Sequence, residues 1–569
     1  MLDPYIGSIE TALQAQMLGL WQKLDSQEIN NIRRKVLPSV SVGWKINLPK
    51  GFVKCPDVNF LLIVIDTRFP FSQPRVLAPE AFRDFTWPHV EAEGLLCLKA
   101  TSTNGDAGQR VMRHIIWAQE LLNLSVGSHR AEFEREFSSY WVHKSSSPSK
   151  GLSTVISLLS PNAKSREIVW FLDIRNTRIV VGDDMASLIL WLRNAGMNPS
   201  EKEINSSWLQ WLSRPWIPSE FPQNGKDVLD YVPTEFTDSK LRPGKIIPII
   251  FGAETASGVV FVATVLQGAS ESKVTKGFRN ITLVPKILVR NSFISHSALR
   301  YPVVRIDGSW IHGRDHDSAY PYISKRKVAV IGCGALGASI ARLLGESGIA
   351  DFVLIDHDLL SPPNISRHAL GLEYLSMNKA AATSLMLKRS FPHIKEAQAI
   401  KQKFEYLSPE QLKNLSDCDV VISCGISYEG DAKIDSWRQS LKSPPAHICC
   451  WTEEFAIVGH AVGLLGKDTL QGAFDDEQRV KFRLTDWPTE SGALIVEAGC
   501  GNVFQPHGAV DLQSTIGLAA RMALDIICNE LTQSTRRVWL GNKDEVIKRG
   551  GNLLDTFTDN LCVKEYPWS

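Results

Sequence analysis

The chain has 569 residues, with 62 Lys plus Arg against 61 Asp plus Glu and a formal net charge of +1. That length exceeds one hydrophobic core and calls for three or four units of about 100 to 200 residues, while the even charge balance, without a long run of either sign, excludes a nucleic-acid partner and a groove for acidic substrates. No run of about 18 apolar residues occurs and MLDPYIGSIETALQ lacks the basic start and apolar stretch of a secretion signal, so no membrane partner is expected and the cytoplasm is the expected compartment.

The first domain, residues 1–145, opens on an apolar-periodic helix, IETALQAQMLGLWQKL. The strand-like runs SVSVGWKINL and NFLLIVIDT follow, then the Pro-punctuated FPFSQPRV, a loop carrying Cys97, and the helical patterns RVMRHIIWAQELLNL and RAEFEREFSSYW. HKSSSPSKG, polar and rich in Ser, Pro and Gly, reads as a linker. Residues 146–315 mix strands (EIVWFLDI, TRIVVG, KIIPIIFGA, GVVFVATVL) with one clear helix, DMASLILWLRNAG. No chemical motif occurs there, and the expected role is a linker or scaffold domain of mixed α/β type.

From Lys325 the pattern becomes strand, Gly-rich turn, helix, strand, the signature of a parallel α/β sheet, and residues 316–569 form the third domain. KVAVIGCGALG holds G-x-G-x-x-G as Gly332, Gly334 and Gly337. Glycines there allow a tight turn and bring backbone amides to a phosphate at the helix N-terminus. Asp356 ends the next strand, where a carboxylate accepts from ribose hydroxyls. To this point an NAD-dependent oxidoreductase fits equally well. The continuation DHDLLSPPNISRH and then Lys379 separates the readings, because Asn364, Arg367 and Lys379 add donors and two positive charges suited to a triphosphate.

The ten cysteines are irregularly spaced, contain no C-x-x-C pair, and read as reduced thiols; no structural zinc site is expected. Cys500, between Gly499 and Gly501 in a loop before the helix AVDLQSTIGLAARMALDII, has the setting of a reactive thiol.

In the order D-x-D (Asp356, Asp358), N-x-x-R (Asn364, Arg367) and Lys379 after G-x-G-x-x-G, residues 320 to 530 resemble the adenylating domains of the ThiF/MoeB and ubiquitin-activating family. The resemblance implies a Rossmann-like fold in which a protein's C-terminal carboxylate attacks the α-phosphate of ATP, with Mg²⁺ beside the nucleotide. It also implies a symmetric homodimer lending an Arg across its interface, for which Arg314 is the candidate. The family's Mg²⁺-binding Asp aligns with Ile426, which leaves the metal ligand open.

FPFSQPRV followed by WPHVEAEGLLCL resembles the core of ubiquitin-conjugating enzymes over residues 35 to 142. Trp87-Pro88-His89 falls on the family's His-Pro-Asn, and Cys97 on its catalytic cysteine. His89 replaces the asparagine that supports the oxyanion, and a neutral imidazole N–H suits the same task. The expected architecture is an α+β ubiquitin-conjugating-like domain, a mixed linker domain and a Rossmann-like ThiF-type domain. The expected chemistry is activation of a protein C-terminus, a thioester relay from Cys500 to Cys97, and attack by a target amine. The fusion resembles the activating–conjugating enzymes of bacterial CBASS anti-phage operons, which implies a cGAS-like nucleotidyltransferase as the conjugated protein. An enzyme for a bacterial ubiquitin-like protein and a non-catalytic scaffold are the alternatives.

Overall fold

A computed structural model describes residues 2–81, 86–143, 152–470, 472–475, 479–496, 503–554 and 559–568. The first sheet is a four-stranded antiparallel meander in chain order: Trp21–Lys23, Val40–Asn47, Phe60–Asp66 and Arg75–Leu77. Alternate strand residues Trp44, Ile46, Leu61 and Ile63 bury against Ile9 and Leu13 of the helix Asp3–Gln16 and Val111, Ile115 and Leu122 of the helix Ala107–Leu122. Those two helices cross closely at Gly108, where an added Cβ would lie 2.6 Å from the Ser8 carbonyl.

Two features of this unit differ from the sequence reading. The first helix stops at Gln16, and the apolar periodicity beyond it belongs to a turn with Gly19 at φ +73° and to the edge strand Trp21–Lys23. A short helix, Ser26–Lys35, covers the opposite sheet face through Ile29 and Ile32, closed at its start by an Asp25/Glu28 capping box.

The middle strands close into a seven-stranded barrel in the order 258–267, 299–305, 154–157, 178–182, 166–173, 205–211, 246–255. Along Gly258–Gln267, Phe261, Ala263 and Val265 enter one core, with Val155, Ile179, Leu209 and Ile250. Val262 and Leu266 enter a second, with Phe137, Trp141, Trp216 and Phe251. Burial on both faces explains why these strands read as continuous apolar runs. The second core draws in the helix Phe137–His143, whose Trp141 is fully buried and donates its indole N–H to the Ala263 carbonyl at 3.2 Å. Arg130 adds a fork to Glu220 at 2.9 and 3.0 Å. The first unit is thereby locked onto the barrel.

The third sheet has eight strands in the order 396–400, 351–355, 327–331, 420–424, 446–452, 458–464, 535–540, 562–567, the first five parallel and the rest antiparallel. Helices Ala335–Glu346, Lys379–Ser390 and Ala509–Ile527 cover one face through residues such as Ile340, Leu387 and Ile516. Tyr428–Ser440 covers the other through Ile434. Among the described residues, no helix is long and apolar enough to cross a membrane.

Candidate functional site

Two clefts hold the candidate residues. The first lies at the carboxyl ends of the parallel strands, where an open α/β sheet takes its ligands. It encloses about 370 Å³ and is lined by Gly332, Gly334, Asp356, Asp358, Lys379 and Ile426, among others. Gly332 has φ +85°, and a Cβ there would meet the Cys424 carbonyl at 2.7 Å. Gly337 packs helix on strand, since a Cβ would lie 1.9 Å from the Gly332 carbonyl. At Gly334, which starts the helix Ala335–Glu346, a Cβ would meet nothing within 4 Å, so the backbone there faces open space that a phosphate can enter.

Asp356 is the fixed point of this pocket. One carboxylate oxygen accepts the N–H of Cys333 and the other that of Asp358, both at 2.8 Å. Burial pushes its carboxyl above the usual range, opposed by those amides and by Lys379. The side chain of Asn378 donates to the carbonyls of Asp356 and Asp358 at 2.8 and 3.1 Å and caps the helix that begins at Lys379. The Lys379 ammonium, 3.1 Å from Asp358, is thus presented at a helix start beside the phosphate turn.

Asn364 and Arg367 do not line this pocket. Asn364 accepts the N–H and hydroxyl of Ser361 at 3.1 and 2.9 Å, and Arg367 donates to the Pro363 carbonyl at 3.2 Å. Arg367 instead acts electrostatically on His507, just ahead of the helix Ala509–Ile527. Arg314 is exposed in a left-handed turn at φ +53°. Ile426 lines the pocket at the position where the family resemblance places an acidic metal ligand; oxygen atoms of Asp356 and Asp358 and a nitrogen of His357 lie within 4.8 Å of one another. Hard carboxylate oxygens there fit Mg²⁺ held together with phosphate oxygens.

The second cleft, of about 480 Å³, contains Cys97 and His89. The loop is held by Gly94 at φ +80°, where a Cβ would lie 2.2 Å from the Ala78 carbonyl, and by the Cys97 N–H donating to the His89 carbonyl at 2.9 Å. Among the described cysteines Cys97 alone is exposed, whereas Cys333 in the phosphate turn is fully buried. Partial burial, then Glu91 and Glu136, raise the Cys97 thiol, and Arg75 opposes them. Cys500 lies outside the described residues.

His89 sits in the left-handed region at φ +57°, donating its backbone N–H to the Tyr140 hydroxyl at 2.6 Å. Its ring nitrogens lie 2.9 Å from Glu132 and 3.5 Å from Glu136. Both nitrogens therefore face carboxylates, and the ring orients Glu132 and Glu136 where a free oxyanion donor was expected. Burial pushes the Tyr140 phenol up to about 12, keeping it neutral. The sequence reading missed Glu132, Glu136 and Tyr140, although their i, i+4, i+8 spacing in RAEFEREFSSYW signals one helical stripe.

Comparison with known proteins agrees with both halves. Residues 19–148 match the model of prokaryotic E2 family B, and residues 316–464 match the ThiF family. A prokaryotic E2-type unit and a ThiF-type unit therefore share this chain. A Pseudomonas aeruginosa protein named ATP-dependent ubiquitin transferase-like protein Cap2 is 27% identical over 257 residues, 43% of this chain and 44% of that protein. Its Escherichia coli namesake is 24% identical over 407 residues, 62% of this chain and 67% of the relative. An Enterobacter hormaechei namesake is 37% identical over 222 residues, 38% and 34% of the two chains. The chain thus spans less than half the length of the first and third of these relatives. Among solved structures, E. coli MccB with AMPCPP and MccA superposes at a TM-score of 0.30 and 14% identity, covering 44% of this chain and 65% of that one. That likeness is too distant to bear on the site.

Proposed function

We propose that this chain activates the C-terminal carboxylate of a protein with ATP, carries it as a thioester and joins it to a target amine. The observation that carries this reading is the coexistence of a phosphate turn with Asp356 and Lys379 and a cleft whose cysteine is exposed, on one chain. The carboxylate oxygen attacks the α-phosphorus and pyrophosphate leaves; the Cys500 thiolate displaces AMP; Cys97 displaces Cys500; a lysine nitrogen displaces Cys97 and gives up its proton toward Glu136.

Asp356 is the proposed ribose acceptor, Gly334 and Lys379 the phosphate contacts, and Asp358 the carboxylate that holds Mg²⁺. Asn364 and Arg367, on the loop continuing from Asp358, are proposed contacts to the outer phosphates. His89 is a proposed positioning residue that aims Glu136 at Cys97. The resemblance to the activating–conjugating enzymes of bacterial anti-phage operons favours a cGAS-like nucleotidyltransferase as the conjugated protein.

A symmetric dimer, with Arg314 reaching the partner's nucleotide, belongs to the same proposal. Mixing Arg314→Ala with Asp356→Ala chains tests it: one intact site per mixed dimer restores part of the pyrophosphate exchange, and no recovery removes Arg314 from the site. The whole reading is tested by ATP–pyrophosphate exchange and by mass spectrometry of reductant-sensitive protein adducts. NAD binding without pyrophosphate exchange would overturn it.

A further inference from the structure

We propose that the barrel supplies the acceptor wall of the Cys97 cleft, forming a slot for a lysine side chain; this rests on the reading of Cys97 as the acyl-carrying thiol. The cleft has two walls from separate units. One carries His89, Glu91, Cys97, Glu136 and Tyr140; the other carries Thr255, Ser257, Val259 and Val260 of the barrel hairpin and Trp310 just beyond the barrel.

The walls are fixed relative to one another by Trp141, buried in the barrel's outer core, and by the Arg130–Glu220 fork. Trp310 is itself braced. The Arg305 guanidinium lies 4.9 Å from its ring centre and is held by Asp307 at 2.8 Å and by Asp315 at 2.5 Å. The backbone N–H of Trp310 donates to Asp307 at 3.3 Å. An indole held in this way is a pre-formed surface.

The chemistry of the walls selects the occupant. Val260, on the strand face opposite to Phe261, and Trp310 offer apolar surface to a (CH₂)₄ stem, and long cationic side chains lay such stems on apolar surface while their heads stay in polar surroundings. At the thiol end, Glu91 and Glu136 line the cleft beside Cys97, and the cation Arg135 is drawn to Glu132 at 2.5 Å and lies 3.7 Å from Glu136. A lysine side chain satisfies both ends and brings its nitrogen to the thioester carbon. There the N–C bond forms, the C–S bond breaks, Cys97 leaves as thiolate, and the amine proton passes to a carboxylate. An acidic acceptor is repelled at the same place.

The test uses the full chain and no ATP. S-phenyl thioacetate acetylates Cys97 with loss of thiophenolate, and peptide mapping verifies the position. Discharge is then timed with Nα-acetyl-lysine amide and with hydroxylamine, which has no stem. Trp310→Ala and Val260→Ser should each slow discharge to the lysine probe about tenfold, equivalent to about 1.4 kcal/mol, with acetylation and hydroxylamine discharge unchanged. Two variants on different elements separate a lost wall from a disturbed fold. Equal slowing for both nucleophiles, or no slowing for lysine, overturns the slot, and slower acetylation with unchanged lysine discharge assigns the wall to the acyl donor instead. Absence of acetyl on Cys97 removes the thiol reading and the slot with it. Failure of ATP-dependent activation alone leaves this experiment standing, because no nucleotide enters it.

Discussion

The Lys379 ammonium lies 3.1 Å from the Asp358 carboxylate, and the Asp358 backbone N–H is held by Asp356 at 2.8 Å. The ammonium is thus held beside the phosphate turn by a carboxylate. Lys379→Ala should lower pyrophosphate exchange about a hundredfold, the usual cost of one electrostatic contact to developing charge, without a change in melting temperature. Asp358→Asn should raise the Mg²⁺ concentration needed for half-maximal exchange. Unchanged Mg²⁺ dependence would move the metal to another ligand.

Asp356→Ala should abolish exchange and also destabilise the chain. Its carboxylate accepts the amides of Cys333 and Asp358. Leaving buried donors unpaired costs about 1 to 3 kcal/mol each. Thermal unfolding followed beside the exchange assay separates the two effects; wild-type exchange in this variant removes the nucleotide assignment.

The proposed relay has an order. A chain with Cys97→Ala and Cys500→Ala together should still exchange pyrophosphate, because the adenylate forms before any thiol acts. Cys97→Ala alone should keep one adduct, at Cys500. Cys500→Ala should show none at Cys97, which peptide mapping of trapped thioesters decides.

The Cys97 thiol is raised by burial, Glu91 and Glu136, so its reactive thiolate grows as pH rises through and beyond the ordinary cysteine range. Glu136→Gln removes one raising charge. Alkylation of Cys97 by iodoacetamide should then be faster in the variant at pH 7.5, while discharge to lysine is slower because the proton acceptor has gone. A fall or no change in alkylation rate would place Glu136 too far from the sulfur to matter.

Arg305 is buried between Asp307 and Asp315 and receives the Trp310 ring. Arg305→Met leaves two carboxylates without their cation, and breaking a buried pair in this way costs about 3 to 5 kcal/mol. Denaturant unfolding should show that loss in the transition of the barrel.

His393 is buried and His368 half-buried, and desolvation pushes both down to about 4, so the folded chain keeps both neutral above that pH. The unfolded chain protonates them near pH 6.5. Between those values the unfolded state binds more protons, so stability is full above about pH 6.5 and falls on acidification toward 4. His393→Gln should shallow the decline in melting temperature between pH 7 and pH 5.

The sequence by itself determined the local build of the two candidate centres. G-x-G-x-x-G followed by Asp356 and Lys379 is a local order of strand, turn and helix, and Gly332 and Gly337 stand where the turn requires left-handed backbone and close packing. The Cys97 loop was legible for the same reason, with Gly94 at positive φ against the Ala78 carbonyl. Local spacing carries such information because the constraints act between near neighbours in the chain. The tertiary structure decided the rest. The ends of the apolar runs at 154–305 do not reveal that they close into a barrel, since closure depends on register between distant strands. Nor does any spacing announce that Trp310 lines the same cleft as Cys97, or that Asn364 and Arg367 stand apart from the pocket that holds Asp356. Those placements follow from Trp141 buried in the barrel's outer core and from the path of the loop after Asp358, and only packing over long chain separations sets them.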